Sequence, residues 1–159
     1  MRVEAFSYLP AVAWGAAAAT MIGQSLGAGD VQRAVRSGHA GVLQCGILSV
    51  LIATCFFLGS QWVFEGMSTD PAVHAAGVGP FRYLALVQPL LVTSIVYIAS
   101  LRGAGDTRFP LLITIIGTLC IRLPVGYYFG IVRQGGLLGA WMGMFADIVV
   151  RAALLGWRF

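Results

Sequence analysis

The sequence writes one tetrapeptide twice, Gly27-Ala28-Gly29-Asp30 within GQSLGAGDVQRAVR and Gly103-Ala104-Gly105-Asp106 within SLRGAGDTRFP. Each copy follows a long apolar run and precedes another. A glycine at the end of a helix takes the left-handed conformation that closes it, a backbone region other residues avoid. An aspartate one residue later caps the helix that follows. GAGD therefore reads as a hairpin bend between two helices, with Gly27 or Gly29 closing the first helix and Asp30 opening the next. In the second copy Gly103 and Gly105 precede Asp106, and Pro110 is an early helical residue. A further reading of the aspartates is an ion pair, Asp30 with Arg33 or Asp106 with Arg108. Neither copy is a nucleotide loop, since the glycine spacing of a P-loop and its lysine are both missing.

The runs that the bends connect decide the class. Of the 159 residues, 58% are hydrophobic and 10% charged, and the mean hydropathy is +0.86. Soluble domains carry about 25% charged residues, so this chain has too few charges to coat a water-facing surface. Five runs are long enough to cross a hydrocarbon core, at roughly 6–26, 40–62, 78–101, 110–131 and 137–157. With no water to satisfy bare backbone and no two-residue alternation, they must be helices rather than barrel strands. The expected fold is an all-α integral membrane protein of five transmembrane helices, with residues 1–159 forming one membrane domain.

All ten basic residues are arginine. Arg33, Arg36, Arg102, Arg108 and Arg158 fall on the side of the two GAGD bends, against Arg2, Arg82 and Arg133 on the other. Basic residues are retained in the cytoplasm, which puts the bends and the C-terminus inside and the N-terminus outside. Arginines placed this way serve topology, so nucleic acid is not an expected partner and the lipid bilayer is. The opening MRVEAF does not read as a secretory signal. Cys45, Cys55 and Cys120 lie in apolar runs without metal-ligand spacing, which argues against a disulfide or metal site. No histidine–carboxylate, serine–histidine or metal cluster suggests an enzyme.

Small residues recur every four positions at Ala11, Gly15, Ala19, Gly23 and Gly27, and again at Gly135, Gly139 and Gly143. Such stripes let helix backbones approach closely in lipid. Pro10, Pro89 and Pro124 remove backbone donors inside or near the ends of spans and bend them. Arg122 lies near the middle of the fourth span and Asp147 near the middle of the fifth, with Arg151 one turn further on. A bare charge at that depth is costly, so Arg122, Asp147 and Arg151 are expected to form one buried ion cluster, structural or coupled to transport. Gln88 beside Pro89 can line the opening that the proline makes. Thr20, Thr93 and Ser94 are expected to bond their own backbone. His39 and His74 read as solvated, and Asp70-Pro71 as a helix start.

In order and separation, ATMIGQSLGAGD, VQPLLV, SLRGAGDTRFPLLI, IRLPVGYYFG and GLLGAWMGMFADIVVRA resemble the C-terminal lobe of the MATE family, the multidrug and toxin extrusion transporters. The resemblance covers nearly the whole chain. It implies a twelve-helix, two-lobe antiporter that exports cationic or amphipathic drugs or toxins across the bacterial inner membrane in exchange for H+ or Na+, with no other cofactor. The five spans then correspond to the eighth to twelfth family helices. An N-terminal lobe and the first helix of the C-terminal lobe are to be supplied in cis or in trans, because alternating access needs two walls around a small-molecule substrate. The resemblance places Glu4, Gln88 and Tyr97 as substrate-cavity candidates. It also places Leu91 where some members carry an acidic residue. Alternatives are a lipid-linked precursor flippase of the same superfamily, which is expected to carry more cavity cations, and a non-transporting membrane subunit or truncated remnant.

Overall fold

The computed structural model describes the backbone of residues 2–62 and 71–159, and the side chains of residues 8–62, 79, 81–136 and 138–159. Among the described residues five long helical rods follow one another: α1 (Arg2–Gly27), α2 (Val31–Leu58), α3 (Pro71–Gly103), α4 (Arg108–Val132) and α5 (Gly136–Arg158). No strand occurs among the described residues. Among the described residues four stretches are long and apolar enough to cross a membrane, Val31–Leu58, Phe81–Gly103, Arg108–Val132 and Leu138–Arg158. At 26 residues α1 has the length as well.

The helices outrun the apolar windows. α2 begins at Val31 rather than near residue 40, and α3 begins at Pro71 rather than near residue 78. Backbone hydrogen bonding does not stop where the hydrocarbon does, so capping residues set the ends and hydropathy sets only the buried middle. α3 is helical from Pro71 onward, and the expected cap Asp70 lies outside the described residues.

α3 is the central rod. It contacts α1 and α2 on one side and α5 on the other, and α4 packs mainly on α5. One core cluster joins Ala11 and Ala18 of α1, Cys45 of α2, and Val92 and Val96 of α3. A second joins Tyr97 and Leu101 of α3 to Leu155 of α5.

Close backbone approaches hold these contacts. A Cβ on Gly15 would lie 2.9 Å from the Ala99 Cβ, and one on Gly103 would lie 2.5 Å from the Ala19 carbonyl oxygen. A Cβ on Gly143 would meet the Arg122 carbonyl oxygen at 2.5 Å and the Gly126 nitrogen at 2.6 Å, and one on Gly139 would overlap the Phe129 carbonyl. The α5 stripe at 135, 139 and 143 thus meets Gly126 and Gly130 of α4.

The α1 stripe behaves differently. Its buried face runs Ala11, Gly15, Ala18, Ile22, Ser25, while Gly23 and Gly27 are exposed. A four-residue step overshoots a helical turn by about 40°. Five positions spaced by four therefore wind off the packed face, and only the early members of the expected stripe serve it.

α4 is not a uniform helix. Arg108–Ile116 and Leu123–Tyr127 are α-helical, but Gly117–Arg122 and Tyr128–Val132 are π-helical. The first π segment immediately precedes Pro124. A proline ring collides with the carbonyl four residues back, here that of Cys120. Widening the turn so that the Leu123 N–H donates to the Thr118 carbonyl relieves the collision. The second segment ends the helix, with the Arg133 N–H donating to the Tyr128 carbonyl at 2.9 Å.

Candidate functional site

The two GAGD bends are the same object. The Gly29 N–H donates to the Leu26 carbonyl (3.0 Å) and the Asp30 N–H to the Ser25 carbonyl (2.9 Å). In the second copy Gly105 donates to Arg102 (3.0 Å) and Asp106 to Leu101 (2.9 Å). These paired bonds form a Schellman motif, with the left-handed glycine at φ +77° in one and +89° in the other. Gly29 and Gly105 therefore close the helices, while Gly27 and Gly103 remain helical.

Each aspartate then starts the next helix. Asp30 Oδ1 accepts the Arg33 N–H at 2.8 Å, and Asp106 Oδ1 accepts the Phe109 N–H at 3.1 Å. The alternative reading, ion pairs with Arg33 and Arg108, is not met among the described residues. Asp106 pairs instead with Arg158 from the far end of the chain, at 3.3 Å, and that guanidinium also stacks over Phe109. A capping carboxylate points back toward its own helix start, away from the arginine side chain two or three residues on.

The intramembrane charges separate into a pair and an outlier. Asp147 is 1% exposed and is held by both Nε and Nη2 of Arg151, with the Nε bond at 3.0 Å. Arg151 also reaches the Thr118 hydroxyl at 3.4 Å. Gly117 makes room, since a Cβ there would overlap the Asp147 carboxylate. Arg122 is not part of this group. Its side chain is exposed and has no hydrogen bond or ion pair among the described residues, while its backbone carbonyl packs against Gly143. The π turn over Gly117–Arg122 shifts the angular register of α4, so a position read at matching depth faces another way.

Gln88 and Tyr97 are both buried, at 2% and 9% exposure, inside the bundle rather than along an open cleft. They are nine residues apart and so sit about 180° from each other on α3. They cannot line one wall together. Gln88 shares its face with Val92 and Val96, toward α1 and α2, and its Nε2 has no partner among the described residues. Tyr97 faces α5, and its hydroxyl meets His39 Nδ1 at 3.2 Å. Phe159 packs on both rings.

His39 is exposed, as expected of a solvated group, yet it is also tied into this cluster. The aromatic closing the C-terminus, opposite a glycine at position 38, was the available signal: a Cβ on Gly38 would overlap the Phe159 ring. Thr20, Thr93 and Ser94 each donate to the carbonyl four residues back, at 3.0, 2.8 and 3.0 Å. The Glu4 and His74 side chains lie outside the described residues. No group of three His, Cys, Asp or Glu side chains able to hold a metal occurs among the described residues.

Helices long and apolar enough to cross a bilayer, with prolines and π turns among them and a buried charge pair on one of them, define a multi-pass membrane protein. Residues 1–128 match the MatE family, so the chain belongs to it. A probable multidrug resistance protein NorM from Thermotoga maritima is 30% identical over 154 residues, covering 97% of this chain and 33% of that protein. A probable NorM from Rhodopseudomonas palustris is 29% identical over 170 residues, covering 34% of its own length. The solved structure of an inward-facing multidrug resistance MATE family transporter superposes with a TM-score of 0.84 at 19% identity, covering 96% of this chain and 36% of the other. That likeness shows the fold. The chain spans about a third of the length of the curated relatives it matches.

Proposed function

We propose that this chain is part of the C-terminal lobe of a multidrug efflux antiporter, exporting cationic or amphipathic compounds in exchange for H+ or Na+. The observation that carries the reading is the continuous family match over residues 1–128, which runs through both GAGD bends. The packing supports it. Alternating access works by rocking one rigid unit against another around a site between them. Backbone contacts at Gly15, Gly103, Gly139 and Gly143 join α1 to α3 and α4 to α5 without soft side chains between them. Such a bundle turns as a body rather than deforming. The arginine bias supports an orientation with the bends and C-terminus in the cytoplasm. The N-terminal lobe forms the other wall, and the helix preceding α1 completes this one.

Ethidium accumulation in pump-deficient cells tests this. Cells making this chain together with the N-terminal lobe and that helix should hold severalfold less ethidium than cells making either part alone. Collapsing the proton gradient, then separately the sodium gradient, identifies the coupling ion as the one whose loss restores accumulation. Unchanged accumulation with both parts present in the membrane would overturn the proposal.

A further inference from the structure

Among the grooves on the described surface, the chemistry differs. One, of about 240 Å³, opens beside Asp106 and Arg158, which already neutralise each other. Another, of about 290 Å³, between α2 and α3 near Pro89, has no charged residue in its lining. A third, of about 320 Å³, lies between α1 and α2 and is apolar along its length and cationic at one end.

Its shape follows from the antiparallel hairpin. Counting away from the first GAGD bend, Met21 stands level with Ser37, Ala17 with Ala40, and Trp14 with Gln44. Gly41 forms the floor, where a Cβ would lie 3.2 Å from the Ala18 Cβ. The far end is closed by Trp14 Nε1 donating to Gln44 Oε1 at 3.3 Å, about 20 Å along the helices from the bend. At the near end Arg33, Arg36 and Ser37 lie on one turn of α2, so their side chains share a face. Neither guanidinium nor the Ser37 hydroxyl has a partner among the described residues. The nearest carboxylate, Asp30, is committed to the Arg33 backbone N–H.

We infer that this groove binds an anionic phospholipid from the leaflet facing the GAGD bends, its phosphate between Arg33 and Arg36 and one acyl chain lying along Met21, Ala17 and Ala40 toward Trp14. Guanidinium groups match phosphate with paired, charge-assisted hydrogen bonds. The positive end of the α2 dipole adds to the attraction. The interior offers no donor until the Trp14–Gln44 bond, so the remainder of the ligand must be hydrocarbon. Two unpaired arginines at a membrane surface beside such a slot favour a lipid over a soluble anion.

Trp14 supplies the probe. The full-length protein is placed in nanodiscs containing phosphatidylglycerol or phosphatidylcholine with brominated acyl chains, and the fluorescence lost by the Trp14→Phe variant isolates the Trp14 signal. Phosphatidylglycerol should quench Trp14 at about 30-fold lower mole fraction than phosphatidylcholine, the equivalent of roughly 1 kcal/mol per arginine at 1.4 kcal/mol per factor of ten. The double variant Arg33→Ala/Arg36→Ala should lose that preference, and Arg133→Ala, at the other end of the bundle, should keep it. Ala40→Phe, which leaves the arginines in place but narrows the slot, should abolish quenching by either lipid. All four positions are exposed, so folding survives the substitutions. Equal quenching by the two lipids, a preference retained by the double variant, quenching retained in Ala40→Phe, or displacement by soluble glycerol phosphate would each overturn the inference.

Discussion

At the scale of single residues, Asp147 shows how a buried charge constrains its neighbours. Its carboxylate is satisfied by Arg151, Arg151 by Thr118 as well, and the space for both exists because residue 117 has no side chain. Removing one member of a buried pair leaves the other uncompensated, at a cost of about 3–5 kcal/mol. Asp147→Asn should therefore lower the thermal midpoint of the detergent-solubilised protein markedly. Asp147→Leu/Arg151→Met, which removes both charges and keeps the volume, should recover most of the loss. Recovery would mark the pair as structural, holding α5 in place beneath Gly117 and Thr118 of α4. A double variant as unstable as the single one would contradict that role. The repeated tetrapeptide teaches a related lesson. Gly29 and Gly105 do the same conformational job, but Gly27 meets open space while Gly103 lies against the α1 backbone. Identical sequence gave one shared turn and two different packing roles.

At the scale of elements, α4 departs furthest from a simple reading. Its composition announces an apolar helix, and Pro124 announces a bend. That the strain is absorbed as a π turn depends on having a partner that needs the new register. With the turn in place, Gly126 and Gly130 face Ala140 and Gly139 of α5. Pro124→Ala removes the steric reason for the widened turn and restores a donor to the Cys120 carbonyl. The turn should then contract to α, rotating the following residues by about 100°. In a variant lacking Cys45, Cys55 and Cys120, the pair Gly126→Cys/Ala140→Cys should cross-link readily with Pro124 present. The yield should fall severalfold when Pro124→Ala is added. An unchanged yield would mean that packing alone holds the π turn.

At the scale of the whole molecule, the two bends commit the chain to a direction. An even number of membrane crossings, α2 and α3, separates them, so they must share a face. Cysteines introduced at Ala28 and Ala104 should respond identically to an impermeant thiol reagent on intact cells, both protected if the arginine bias sets orientation. A cysteine at Arg133 should react from outside. Opposite behaviour at 28 and 104 would break the topology.

What could be read from the chain alone was whatever depends on local chemistry. Apolar length and scarce charge dictate membrane-crossing helices. Glycine followed by aspartate dictates the bends, because left-handed backbone and side-chain capping are decided within a few residues. The pairing of Asp147 with Arg151 was legible for the same reason, being one turn of one helix. Tertiary structure alone decided that Arg122 stands apart from that pair, that Gln88 and Tyr97 serve opposite faces of α3, and that His39 joins Tyr97 and Phe159. Each of these depends on the angle at which one helix presents a side chain to another. That angle is set by a π turn, by the drift of a four-residue spacing against a 3.6-residue helix, and by where backbones can touch, and none of these is settled until the helices are packed.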